Sequence, residues 1–294
     1  MTHYRNGWKT ALLLGSLTAL ILAIGYGVGG GTGLALAVVV SLAMNGIAYF
    51  WSDRIALASM RARPVTDVEA PQLRATVREL AAAAGLPEPR VYVSPLAQPN
   101  AFATGRDPRH AAVCVTEGLL RLLGPRELRA VLAHELAHVA NRDILISSVA
   151  AGLAGIVTSL ANLALFLPWG SDDEDAPNPL AILLMLVLGP LAAGLIQLAI
   201  SRTREYEADL DGARLSGDPI ALASALQKIE RGARATPIEP QGTAASQAHL
   251  MIAHPLADEG IAGLFRTHPA TAERIRRLRE IASVAPRRTF VRLH

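Results

Sequence analysis

The chain has 294 residues, a formal charge of +3, a pI near 9.3, and 51% hydrophobic against 18% charged residues, with a mean hydropathy of +0.31. That balance is too apolar for an ordinary soluble protein and places part of the chain in lipid. The basic excess brings no interleaved aromatic-basic motif, which argues against a nucleic-acid partner, and the single cysteine, Cys114, excludes an intrachain disulfide.

Four apolar stretches, roughly 10–28, 32–51, 144–167 and 180–201, each approach the ~20 residues that cross a bilayer core of ~30 Å. The first two are separated by the uncharged run from Gly27 to Gly33, suited to a helical hairpin. The second two flank an acidic loop, Ser171 to Asp175, followed by Pro177 and Pro179. Arg5 and Lys9 precede the first span, Arg54, Arg61 and Arg63 follow the second, Arg142 precedes the third, and Arg202 and Arg204 follow the fourth. Neither connecting loop carries a basic residue, so both termini are expected in the cytoplasm. The same pattern favours a retained hairpin over a cleaved signal peptide.

Between the spans, Pro71 to Ala84 reads as a helix with proline at its start and Gly85 at its end. β-like runs follow at Val91–Val93, Ala101–Thr104 and 111–116, and the Gly105-Arg106-Asp107-Pro108 turn joins the last two as a hairpin. Cys114 falls in the last run as a buried strand residue. Gly124-Pro125 then opens a helix whose Leu128, Val131, Leu132, Leu136 and Val139 form an apolar stripe. The tail beyond Asp209 reads as helical and polar, with a loose stretch at 235–248 and a last helix from about Pro269 to Ala285. In that helix Ile275, Leu278 and Ile281 are expected inward, and Arg274, Arg276, Arg277 and Arg279 mostly outward. The fold class is thus mostly α with a small β-sheet.

On the histidine helix, His134 and His138 lie one turn apart and can reach one metal ion, while Glu135, rotated by roughly 100°, faces a water in its open position as a general base. Catalytic zinc usually takes a third protein ligand. Asn141 and Ile144 exclude the pattern with a third histidine six residues on, and Glu117, His249, His254 and His268 remain candidates. Glu205, at the exit of the fourth span, is stronger, because Asp209 one turn later can accept a hydrogen bond from a ligand imidazole.

The histidine motif between apolar segments, Glu205-Tyr206-Glu207-Ala208-Asp209, Asn100-Ala101-Phe102-Ala103-Thr104-Gly105, and Thr267-His268-Pro269 with Arg274 together resemble the HtpX-like membrane zinc metalloproteases, bacterial relatives of the CAAX prenyl proteases. The resemblance runs over nearly the whole chain. It implies an integral membrane, gluzincin-type zinc endopeptidase with four transmembrane helices and a cytoplasmic catalytic domain, acting in membrane-protein quality control. It implies one Zn²⁺ per chain held by His134, His138 and Glu205, with Glu135 as base and Asp209 supporting a ligand. Asn100, Ala101, Phe102, Ala103 and Thr104 become a substrate-binding edge strand, and His268 a residue that stabilises the oxyanion or fixes the pocket.

The domain plan is a transmembrane hairpin at 1–52, a first catalytic part at 53–143, a second hairpin at 144–201 and a second catalytic part at 202–294. The expected partners are membrane-protein or unfolded polypeptide substrates and the lipid bilayer of the bacterial plasma membrane, with no nucleic acid and with homo-oligomerisation left open. Two rivals compete. A site-2-type intramembrane protease would use Asp211 of Leu210-Asp211-Gly212 as third ligand, and an idle scaffold or chaperone would have no need of Glu135.

Overall fold

The computed structural model describes residues 2–150, 202–235 and 270–284. The expected spans at 180–201 and most of 144–167, the loose stretch at 235–248 except its first residue, and His249, His254 and His268 lie outside the described residues.

Residues Thr2–Ser59 are helical with a sharp bend at Gly29 and Gly30, where Gly30 takes φ 52°. A positive φ is open to glycine at no steric cost. The bend folds the two arms against each other: Asn45 Nδ2 donates to Thr18 Oγ1 at 2.8 Å, and a Cβ added at Gly25 would lie 2.4 Å from Ala37 Cβ. This is the expected helical hairpin. Its second arm, Gly29–Ser59, is long and apolar enough to cross a membrane. That arm continues past the expected span and packs Ala56, Leu57 and Met60 against Phe102, Ala112 and Cys114, so the hairpin is joined to the sheet.

Among the described residues the sheet has four strands: β1 (Arg63–Pro64), β2 (Arg90–Ser94), β3 (Ala101–Thr104) and β4 (Ala112–Thr116). Their order is β1-β2-β4-β3, with β2 parallel to β4 and the outer pairs antiparallel. The expected Ala101–Thr116 hairpin is present, and β3 is an edge. The helix Pro71–Ala83 ends at Gly85, which takes φ 66°. Cys114 is fully buried, and burial pushes its thiol up to about 12.

The histidine helix (Pro125–Ala140) lies in the centre of the core. It contacts the helix Pro71–Ala83, the sheet, the helix Pro219–Ala235 and, most extensively, Arg202–Ser216, called here the carboxylate helix. The expected stripe is inward: Val131, Leu132, Leu136 and Val139 are buried, each worth about 1.5–3 kcal/mol on transfer from water. Leu80, Val113, Ile229 and Leu278 fill the space around it.

Gly212 sets how closely the two helices cross, since a Cβ there would meet His134 Cα at 2.8 Å. The glycine of Leu210-Asp211-Gly212 therefore has a packing role. The last described helix, Thr271–Val284, buries Leu278 and half-buries Ile275 and Ile281 as expected. Arg274 differs from the outward expectation: it is fully buried, because carboxylates of the carboxylate helix surround its guanidinium.

Candidate metal centre

Helical periodicity brings His134 and His138 onto one face of the histidine helix, with their ring centroids 4.8 Å apart and the rings nearly perpendicular. The carboxylate helix adds Glu205 from across the crossing: Oε2 is 3.8 Å from His134 Nε2, and Oε1 is 3.7 Å from His138 Nε2. One donor atom from each of the three residues lies within 4.8 Å of the others. Two imidazole nitrogens and one carboxylate are the donor set that zinc accepts while leaving a position open.

Both rings are oriented from behind. His134 Nδ1 is 3.2 Å from Asp209 Oδ1. His138 Nδ1 is 3.3 Å from Asp143 Oδ2, a contact that the sequence reading did not identify. Arg142 takes φ 55°, and the Asp143 N–H donates to the His138 carbonyl at 3.0 Å, so the chain doubles back as the helix ends. The available signal was an Asp five residues beyond the second histidine. A carboxylate on the far nitrogen fixes the ring's tautomer and raises its strength as a ligand.

Arg274 closes the cluster. Its Nε and Nη2 donate to Asp209 Oδ2 and Oδ1 at 2.8 and 2.7 Å, and its Nη1 lies 3.3 Å from Glu205 Oε2. Burial opposes the charge on Asp209, but Arg274 and His134 outweigh it and hold the carboxyl down at about 2. Burial likewise opposes protonation of His138, yet Asp143, Glu205 and Glu135 together raise it to about 9.

Glu135 is buried, and its Oε2 accepts the Ala103 N–H at 2.9 Å. Burial pushes this carboxyl up, against the pull of the two imidazoles. A base shifted toward neutral pH is well matched to accepting and returning a proton. The contact also locates β3: Asn100 faces β4 through its carbonyl, which accepts the Thr116 N–H at 2.9 Å, while Ala103 turns its N–H outward to Glu135. Strand alternation puts Ala101 on the same outer edge, beside the cluster.

The competing ligand candidates among the described residues are elsewhere. Glu117 pairs with Arg121 at 3.2 Å on a short helix at the surface. Asp211 accepts from Asn141 Nδ2 at 3.2 Å and is 43% exposed, outside the group of donors.

Comparison with known proteins agrees with this geometry. The family description Peptidase family M48 matches residues 67–282. A curated relative named Protease HtpX homolog from Kineococcus radiotolerans is 53% identical over 290 residues, covering 96% of this chain and 99% of the relative. A second of that name from Arthrobacter sp. (strain FB24) is 51% identical over 286 residues, covering 96% and 98%. The crystal structure of S. mikatae Ste24p shares the fold with a TM-score of 0.51 and 19% identity. The match covers 94% of this chain and 65% of that one, so the chain spans about two thirds of the Ste24p structure. With the family matched across the helix that carries His134 and His138 and across the helix that carries Glu205, the chain belongs to peptidase family M48, as an HtpX-like zinc metalloprotease.

Proposed function

We propose that the protein is a multi-pass endopeptidase of the bacterial plasma membrane that hydrolyses misfolded or damaged membrane proteins from a cytoplasmic site. The observation that carries the catalytic part is the convergence of His134, His138 and Glu205 beside a buried Glu135. In this reading His134, His138 and Glu205 hold one zinc, and Asp209 and Asp143 orient the two imidazoles. Bound zinc supplies Lewis acidity, bringing the pKa of a water toward ~7 and drawing electron density from the scissile carbonyl.

Glu135 takes a proton from the attacking water and passes it to the leaving amine, and the water's second proton follows to the same nitrogen, so the products are a carboxylate and an ammonium and no covalent enzyme intermediate forms. The Ala103 N–H keeps the Glu135 carboxylate turned toward the cluster. Substrate adds to the outer edge of Asn100–Thr104 as a further strand, its backbone hydrogen bonds giving affinity without strong sequence preference. His268 is proposed, from the family resemblance, to stabilise the oxyanion or fix the pocket.

The membrane part of the reading rests on the hairpin. Leu12, Leu36, Val39 and Leu42 are exposed on its outer face, where a bilayer would cover them. The domain plan follows: membrane hairpins at 1–52 and 144–201, with 53–143 and 202–294 building the catalytic part. The site-2-type alternative is disfavoured by the outward position of Asp211.

Zinc content of the detergent-purified protein, measured beside cleavage of an unfolded polypeptide with and without chelator, tests the proposal. Glu135→Gln is expected to keep stoichiometric zinc while turnover falls by roughly 10²–10⁴. Turnover near wild type in that variant would sink the mechanism, and zinc loss would make Glu135 a ligand.

A further inference from the structure

The second hairpin arm acts as a scale for depth in the bilayer. Counted from the bend at Gly30, ~20 residues at 1.5 Å each cross the ~30 Å hydrocarbon core and end near residue 50. Tyr49, Phe50 and Trp51 stand there in succession, all exposed, as aromatic side chains do at a membrane interface. Trp8, which the Thr18–Asn45 register places toward the same open end, is exposed as well.

The C-terminal end of β3 is fastened at this level. The Arg106 guanidinium lies 5.9 Å from the centre of the Phe50 ring. Thr104 Oγ1 and Ser148 Oγ are 2.8 Å apart, and the Gly105 N–H donates to the same Ser148 oxygen at 3.0 Å. Both hydroxyls are buried, and Ser148 belongs to the helical residues 144–150 at the root of the third proposed span. Gly105 takes φ 139°, and a Cβ there would come within 2.5 Å of the His110 carbonyl oxygen, so the turn after the strand has little latitude. Ala103, whose N–H holds Glu135, is three residues from Arg106, at most about 10 Å of chain.

We infer that the enzyme cuts membrane-anchored polypeptides at a short, fixed distance from the bilayer, with the fastened end of β3 setting that distance. The substrate class is the juxtamembrane segment of a chain still held in lipid. The inference rests on the proposed roles of β3 as substrate strand and of the hairpin as a membrane span. With Glu135 2.9 Å beyond the Ala103 nitrogen and Arg106 5.9 Å from the Phe50 ring, the base lies within about 20 Å of the interface, the length of about six extended residues, which places cuts within roughly six residues of the end of the substrate's span. Anchoring also raises the effective concentration of that segment at the strand, an advantage that soluble chains lack.

The test co-reconstitutes the full-length enzyme in phosphatidylethanolamine–phosphatidylglycerol vesicles with a single-span substrate whose cytoplasmic tail repeats one short peptide, so every position offers the same sequence. Mass spectrometry maps the cuts. They are expected to cluster in the first roughly six residues of the tail and to move with the boundary when the span is lengthened by three leucines. Cuts spread evenly along the tail, or staying at a fixed residue when the boundary moves, overturn the inference.

Ser148→Ala and Arg106→Ala are expected to widen the spread of cuts severalfold, a readout independent of rate. An unchanged spread in both removes β3's end as the element that sets the distance. Failure of the underlying site reading appears separately, as cutting by Glu135→Gln or as no cutting by the wild-type enzyme of either this substrate or a soluble unfolded peptide. Evenly spread cuts that Glu135→Gln abolishes leave that reading intact and overturn the distance rule alone.

Discussion

The N-terminal hairpin and the crossing of the histidine and carboxylate helices are built in opposite senses. The hairpin turns large apolar side chains outward, and among its described residues the arms meet through glycines, the Asn45–Thr18 hydrogen bond and the packing of Ala48 and Met44 with Leu14 and Ile21. The crossing buries His134, Glu205, Asp209 and Arg274 against one another, and beside them Glu135, which accepts the Ala103 N–H. Outer hairpin positions are therefore interchangeable so long as they stay apolar, whereas the crossing depends on individual side chains.

The largest expected effect follows from that contrast. Arg274→Met leaves Asp209 and Glu205 buried without their cation and is expected to cost about 3–5 kcal/mol. Leu42→Ala, on the exposed hairpin face, is expected to stay within ~0.5 kcal/mol. Chemical unfolding of both variants in detergent decides the matter, and equal costs would show that the buried network is no more demanding than the hairpin's surface.

A smaller effect separates charges inside the cluster from those beside it. Asp209→Asn and Asp143→Asn are each expected to weaken zinc binding by about 10–100-fold, because each removes the carboxylate behind a ligand imidazole. Asp211→Asn, two residues past Asp209 but turned outward, is expected to bind zinc as the wild type does. Competition against a chromogenic chelator gives the order, and a loss confined to Asp211→Asn would restore the site-2-type reading.

Much of this contrast was legible in the sequence because it rests on periodicity. His134 and His138 at one helical turn, Glu205 and Asp209 at the next, proline and glycine at helix ends, and the uncharged run at Gly27–Gly33 each express a local rule. Asp143 and Arg274 were not read correctly because their places depend on tertiary return. Asp143 reaches His138 only through the turn at Arg142, and Arg274 sits among arginines that do face outward. Local pattern gives a helix its faces, but the carboxylates of another helix decide which arginine is buried.

The hairpin's own weak point is steric. A Cβ at Gly33 would lie 2.1 Å from the Gly25 carbonyl oxygen, so the arms must part to admit it. Gly33→Ala is expected to cost about 1–2 kcal/mol. Gly46→Ala, with nothing within 4 Å of the new Cβ, is expected to be neutral or to stabilise by up to ~1 kcal/mol through helix propensity. Unfolding in detergent compares the pair, and equal destabilisation would mean that close approach does not hold the arms together.

The smallest effect lies at the start of the histidine helix, where a carboxylate meets water on one side. Glu127 accepts from the Gly124 N–H at 3.0 Å, Lys228 Nζ at 2.8 Å and Ser224 Oγ at 2.7 Å, tying the helix to Pro219–Ala235. Burial raises its carboxyl, but Lys228, Ser224 and the Gly124 N–H outweigh it and leave the group below its ordinary 4.5. The unfolded chain therefore takes up this proton more readily than the folded one, so the stabilisation is complete above about pH 4.5 and is lost as the pH falls through the folded value. Lys228 is 44% exposed, which screens the pair and limits the contribution to about 1 kcal/mol. Glu127→Gln is expected to trail the wild type by that amount near pH 7 and to converge with it as the pH falls below about 4.5. Unfolding free energies of the two proteins over that range provide the check, and a gap that widens on acidification would reverse the sign argued here.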